Sequence, residues 1–214
     1  MLLSYNLSWS GHISAICTKA RRILGLLYRR FYNHASGDCL KQLYTSLVRP
    51  HLEYAASLWD PHTQKDIQLL ESTQRFALKL ITHNWDHNYQ ELLALSDLPT
   101  LSSRRLHTKF SQLYRIIHGL CHFPEGVIQM RSRHSKRLQR PLTLFQPFAH
   151  TNAFLTSYFP SSISAWNSLT EEQVTCPTLT AFKNSELFNM VFLLVASHII
   201  DLCCLILSFN LGVH

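Results

Sequence analysis

The chain opens MLLSYNLSWSGHI, in which Leu3, Tyr5, Leu7 and Trp9 alternate with Ser4, Asn6, Ser8 and Ser10. A period of two predicts a half-buried strand over residues 1–11. Such a strand leaves a row of backbone N–H and C=O groups in need of a neighbour, yet little later in the chain reads as a strand. From residue 12 the period changes. Ile13, Ile16, Cys17, Ala20, Ile23, Leu24, Leu27 and Phe31 recur at helical spacing. Ser10 is the expected N-cap, and Asn33 to Gly37 break the helix.

Ser36 can cap a second helix carrying Leu40, Leu43, Tyr44, Leu47 and Val48. Pro50 lacks an N–H and must end or kink it. The pattern resumes through Leu52, Tyr54, Ala55, Ala56 and Leu58 and stops at Trp59-Asp60-Pro61. A third helix is expected from Gln64 to His83, with Ile67, Leu70, Gln74, Ala77, Leu78 and Ile81 on one face. A short helix around Tyr89 to Leu95 precedes a turn, and another spans Leu101 to Leu120 with Leu106, Phe110, Leu113, Tyr114 and Ile117 as its stripe. Beyond residue 125 the periodicity fades. RSRHSKRLQR, Arg131 to Arg140, has five cations and no acid and reads as part of a basic linker over 125–150. Ala153 to Phe159 reads as a short strand that could partner the opening one. A helical turn at Ile163 to Leu169 and a helix from Thr178, started by Pro177, complete a small mixed segment over 151–186.

Residues 187–214 change character. They contain no lysine or arginine, and 187–209 approaches the ~20 apolar residues that span a bilayer. Asp201 would cost about 2.5–3.5 kcal/mol at a bilayer centre. Ser197, Asp201, Cys204 and Ser208 share one polar stripe, which suits a hydrophobic terminal helix packed on protein or a membrane helix with a partner.

These elements predict a mainly α fold, a helical bundle over 12–124. Its length, 214 residues, suffices for a sizeable core. Only 15% of residues are charged, below the roughly 25% of soluble domains, so some apolar surface is expected to face a partner or lipid. The net charge of +7 favours a polyanionic partner. Cys17, Cys39, Cys121, Cys176, Cys203 and Cys204 show no CxxC spacing, and Met1 leads straight into the alternating segment with no signal peptide. Free thiols in a reducing compartment, nucleus or cytoplasm, are expected.

Candidate chemistry is sparse. His83 and His87, and His118 and His122 around Cys121, have the i, i+4 spacing of paired metal ligands, but neither has a second pair at finger-like spacing, and no metal or cofactor is expected. Two-metal polymerases hold their ions about 4 Å apart with clustered carboxylates. The adjacent acids here are Glu171 and Glu172, at an expected helix start where acids complement the dipole. GxGxxG, GxxxxGK[ST] and GxSxG are missing from the sequence. Arg104 and Arg105 stand in the first turns of a helix, where cations are unfavourable by about 0.3–1 kcal/mol unless an anion joins them.

The strings LSWSGHI, KARRILGLLYRRF, LYTSLVRPHLEYAASLWDPHTQKDIQLLESTQRFALKLIT, LPTLSSRRL, FAHTNAFLTSYFPSSISAWNSL and TLTAFKNS, in this order, resemble the region that follows the polymerase core in reverse transcriptases of non-LTR, jockey-like retrotransposons. The resemblance covers roughly residues 3–186. The RPHLEYA…WDP segment is its most specific part, and the tail from 187 departs from the pattern. The resemblance implies that residues 1–11 correspond to the last palm strand and 12–124 to the thumb. It places the palm, with its paired aspartates, ahead of the matching region, so that the polymerase palm is an implied partner and no catalytic residue is expected here.

A thumb grips the template–primer duplex through phosphates. The candidates for that contact are Lys19, Arg21, Arg22, Arg29, Arg30, Arg49, Arg104 and Arg105, with RNA–DNA or DNA duplex as the partner. Arg49 is as readily structural, paired with Glu53 or Asp60. Trp59 and Trp166 can stack on bases, though tryptophans in such helix-end motifs more often pack in cores, and Tyr28, Tyr44 and Tyr54 carry the same ambiguity. The expected function is that of a catalytically silent fragment of an RNA-directed DNA polymerase with weak, sequence-independent nucleic-acid binding. The alternatives are a membrane-associated helical protein anchored through 187–209, and a decayed relic without independent function.

Overall fold

The computed structural model describes residues 1, 3–5, 8–124, 126, 128–131 and 142–184. The fold is mainly α, as the periodicity predicts. The chain divides into two compact units, Met1–Lys109 with Ala149–Ser161, and Phe110–Phe148 with Ser162–His214. Among the described residues there is no β-strand, only a single antiparallel bridge between Met130 and Leu144.

Among the described residues of 1–11 the expected opening strand does not form. Ser4 and Ser8 instead close a turn: the Ser4 N–H and hydroxyl both donate to Ser8 O, at 3.2 and 2.8 Å. Tyr5 between them is fully exposed. Alternation supplies a face but not a partner. With no second strand among the described residues to complete a ladder, local serine bonds take up the backbone groups. The second expected strand, Ala153 to Phe159, is helical for the same reason. Thr151 caps α8 (Asn152–Leu155) by accepting from Phe154 N, and α9 (Tyr158–Asn167) follows.

The first unit is built on α1 (Ser10–Phe31) and α5 (Gln64–Thr82). Ile13, Cys17, Ala20, Leu24 and Leu27 form the buried stripe of α1, and Leu70, Thr73, Gln74, Ala77, Leu78, Leu80 and Ile81 are buried on α5. Each fully buried leucine contributes about 1.5–3 kcal/mol. Ser10 is not the N-cap. Trp9 holds that position, and the Ser10 hydroxyl donates to Asp66 Oδ2 at 2.7 Å. The same oxygen accepts from Thr63, the residue that caps α5. One buried carboxylate therefore ties the two helix starts together, a stronger bond than a neutral cap would give.

Between α1 and α5 the chain makes α2 (Gly37–Leu43), a π-helical turn (Tyr44–Val48), α3 (Arg49–Glu53) and α4 (Ala56–Trp59). Ser36 caps α2 as expected. Gly37 lies so close to α5 that a Cβ there would sit 2.6 Å from the Ile81 carbonyl oxygen. Pro50 does not end the helix, which runs on as α3 to Glu53. It cannot donate to the carbonyl four residues back, and the wider π turn precedes it. Ala55, at φ 52°, then turns the chain from α3 into α4. After α5 come α6 (Tyr89–Ser96), with an Asn88–Glu91 capping box, and α7 (Leu101–Ile117).

The second unit buries Phe110, Leu113 and Tyr114 of α7 with Leu144, Ile163, Trp166, Leu169, Val174 and Phe182. The last two come from α10 (Glu171–Val174) and α11 (Leu179–Asn184). Tyr114 stacks on Phe182 with ring centroids 4.9 Å apart. Asn167 satisfies both backbone groups of Leu144, each bond 3.0 Å. The described part of the segment expected to be mixed is thus helical. Most of the basic run 131–140 and the hydrophobic tail expected as a terminal helix lie outside the described residues. Among the described residues no helix is long and apolar enough to cross a membrane.

Candidate nucleic-acid interface

The eight expected phosphate-binding cations separate into two sets according to what their charges meet. Arg49, Arg104 and Arg105 face carboxylates. Arg49 Nε lies 3.9 Å from Glu53 Oε1, one turn along α3. Arg104 clasps the same carboxylate with Nε and Nη2, the latter at 3.0 Å. That hydrogen bond outweighs burial and raises the Arg104 pKa further. Arg105 is 3% exposed and donates from Nε to Asp60 Oδ1 at 2.9 Å. Lys109, one turn further on, sits 2.6 Å from Asp60 Oδ2 and 3.3 Å from the Ser161 hydroxyl.

The N-terminus of α7, where Arg104 and Arg105 suggested room for a bound phosphate, already holds an anion. Glu71 of α5 accepts from the backbone N–H groups of Leu101 at 3.3 Å and Ser102 at 2.7 Å. It also accepts from the Tyr89 hydroxyl, and burial together with that carboxylate pushes the Tyr89 phenol up. The arginines of α7 therefore answer Glu53 and Asp60, while Glu71 answers the dipole. This cluster fastens α7 to the RPHLEYA…WDP segment and leaves Arg105 out of reach of an external ligand.

Lys19, Arg21, Arg22, Arg29 and Arg30 of α1 are exposed. At about 100° per residue, Lys19, Arg22, Arg29 and Arg30 fall within an arc of about 100° on the side away from the buried stripe. The arc is wide enough to follow a phosphate backbone and narrow enough to address one surface. Arg21 lies on the flank toward α5 and donates from Nη2 to the Ser72 hydroxyl at 2.9 Å. A hydroxyl leaves the guanidinium charge uncompensated, unlike a carboxylate.

The aromatic candidates are also redistributed. Trp59 and Trp166 are fully buried and donate from Nε1 to the carbonyls of Tyr54 and Leu142, at 2.8 and 3.1 Å. They are core residues, and stacking on a base is closed to them. Tyr44 is buried as well, and burial raises its phenol pKa. Tyr28 and Tyr54 remain exposed. Trp85, which lies outside any periodic stretch, joins Tyr28. It lies in the loop after α5, half-exposed, with its Nε1 donating to Tyr32 Oη at 2.8 Å. Its ring is 6.2 Å from those of both Tyr28 and Tyr32, and Lys79 Nζ lies 5.7 Å from its centroid.

The histidine pairs have other company. The His83 ring lies 4.7 Å from that of Tyr32, His87 Nδ1 is 2.8 Å from Glu91 Oε2, and His118 stacks on Tyr114. Among the described residues no group of three or more His, Cys, Asp or Glu side chains gathers as a metal site.

Comparison of the chain with protein-family models, with curated proteins and with solved structures finds no match.

Proposed function

We propose that this chain is a thumb-like helical module of a retrotransposon reverse transcriptase, and that its capacity is a sequence-independent grip on the phosphates of a nucleic-acid duplex. The observation that carries this reading is the outer face of α1, where Lys19, Arg22, Arg29 and Arg30 are exposed together. Arg21 extends that face toward α5.

Such a face attracts any polyanion, and helix-borne arginines reaching phosphates carry no sequence information. Each phosphate neutralised releases counterions, so the affinity falls with salt at a slope of about −0.9 per contact on a log–log plot. Four contacts give a slope of about −3 to −4. The chain is also proposed to be silent in polymerisation. Glu53, Asp60 and Glu71 are committed to Arg104, Arg105, Lys109 and the α7 backbone, an arrangement that holds helices together and offers no paired sites for divalent ions.

The test is fluorescence anisotropy of a labelled RNA–DNA hybrid titrated with the purified chain over a salt series, repeated with a scrambled sequence. Steep salt dependence and equal affinity for the two sequences are expected. Affinity that ignores salt contradicts the proposal. Nucleotide incorporation on a primed template by the chain alone contradicts its catalytic silence.

A further inference from the structure

We infer that the aromatic cluster at the C-terminal end of α1 is a stacking platform for an unpaired base, so that the module takes single-stranded nucleic acid beside its duplex-binding face. This rests on the phosphate-binding reading above and adds to it the kind of strand that is held.

Tyr28, Tyr32, Trp85 and Phe76 form one aromatic group, with centroid separations of 5.0 Å for Tyr28–Tyr32 and 5.9 Å for Phe76–Trp85. Tyr28 is 44% and Trp85 38% exposed, so both rings keep surface open to a ligand. The group is hydrogen-bonded at its polar edge. Tyr32 Oη accepts the indole N–H, and Lys79 Nζ donates to the Trp85 carbonyl at 2.7 Å, which fixes the loop that carries the ring.

Charge selects the occupant. Lys79 is bound to a carbonyl and Arg21 to a hydroxyl, so neither cation is neutralised by its hydrogen bond. Arg29 follows Tyr28 directly on an exposed turn. Asp86 adjoins Trp85 in the chain, while Lys79 Nζ lies over the indole and Arg21 stands two turns before Tyr28 on the same side of α1. A flat ligand without negative charge would leave these cations without a counterion. A strand of nucleotides presents a π-face every few ångströms with a phosphate between, and matches both features. Stacking is indifferent to base identity, in keeping with a sequence-independent grip.

The test uses the full chain with two labelled oligomers of equal length and charge, oligo-dT and its abasic counterpart, at low salt. The wild type is expected to bind the base-bearing strand about tenfold more tightly, the order of one stacked base, with quenching of tryptophan fluorescence. Tyr28→Leu and Trp85→Leu keep apolar bulk without a π-face and are expected to bring both oligomers to the abasic affinity. Trp85→Phe is expected to retain most of the preference. Equal wild-type affinity for the two oligomers overturns the stacking platform and leaves the phosphate grip standing. Failure to bind either oligomer or the RNA–DNA hybrid overturns both. Should Trp85→Leu fail to fold, the wild-type comparison and the Trp85→Phe variant still decide.

Discussion

Arg105 Nε donates to Asp60 Oδ1 across 2.9 Å, with the arginine side chain 3% exposed. The second oxygen of Asp60 faces Lys109, which is also buried. One partly exposed carboxylate therefore compensates two desolvated cations, and α4 and α7 are held through it. Two features that look like nucleic-acid chemistry in the sequence, the RR pair and the WDP turn, meet here as structure.

Asp60→Ala is expected to destabilise the fold by about 3 kcal/mol, the lower end for breaking a buried pair, because it strands Arg105 and Lys109 without an anion. Urea unfolding followed by circular dichroism measures this. Arg22→Ala, on the outer face of α1, is expected to shift stability by no more than about 0.5 kcal/mol. An equal loss in the two variants contradicts the division of the cations into two sets.

Glu71→Ala removes the cap of α7 and leaves the Tyr89 hydroxyl without its acceptor. A loss of about 2 kcal/mol or more is expected, from the cap and the orphaned hydroxyl together. Glu71→Gln keeps an acceptor oxygen and is expected to lose less. Thermal melting of the two variants side by side checks the order.

Glycines 37 and 25 are expected to respond oppositely to alanine. At Gly37 the new methyl would meet the Ile81 carbonyl at 2.6 Å, and backbone must shift, at about 1–3 kcal/mol. At Gly25, inside α1, nothing lies within 4 Å, so alanine is expected to stabilise the helix by about 1 kcal/mol. Midpoints of urea unfolding report both signs.

His12 lies between Trp9 and Trp59, with ring centroids 6.1 and 5.6 Å away. Burial, and secondarily the N-terminal charge, hold its pKa below the ordinary 6.5. The unfolded chain then binds the proton more readily. Stability from this group is complete above pH 6.5 and is lost as the pH falls through the lower folded value. His12→Gln is expected to flatten that part of the stability–pH profile relative to wild type, as measured by urea midpoints from neutral to acid pH.

The helices were legible in the sequence because their buried stripes are long. The eight apolar positions of α1 and the face of α5 repeat over several turns, and Ser36 announces its own cap. The alternation at residues 1–11 does not yield a strand because alternation records which side could be buried and says nothing of whether a neighbour exists. Trp59 and Trp166 could not be placed by type, since a tryptophan is equally suited to a core and to a base. Arg105 and Lys109 share a helix face at i, i+4, and only the fold brings Asp60, 45 residues from Arg105, to that face. Trp85 stands in a polar loop, HNWDHN, that carries no periodicity to mark it. Its significance comes from Tyr28 and Tyr32, which the chain delivers from α1.

Salt slopes for RNA–DNA hybrid binding by wild type and by a variant with Arg22, Arg29 and Arg30 all changed to Gln decide whether the outer face of α1 holds the duplex. If α1 grips phosphates, the slope is expected to fall by about 0.9 for each contact removed, while Arg104→Gln leaves it unchanged. A slope that survives the loss of the three arginines, or that falls with Arg104→Gln instead, rules out phosphate binding by α1.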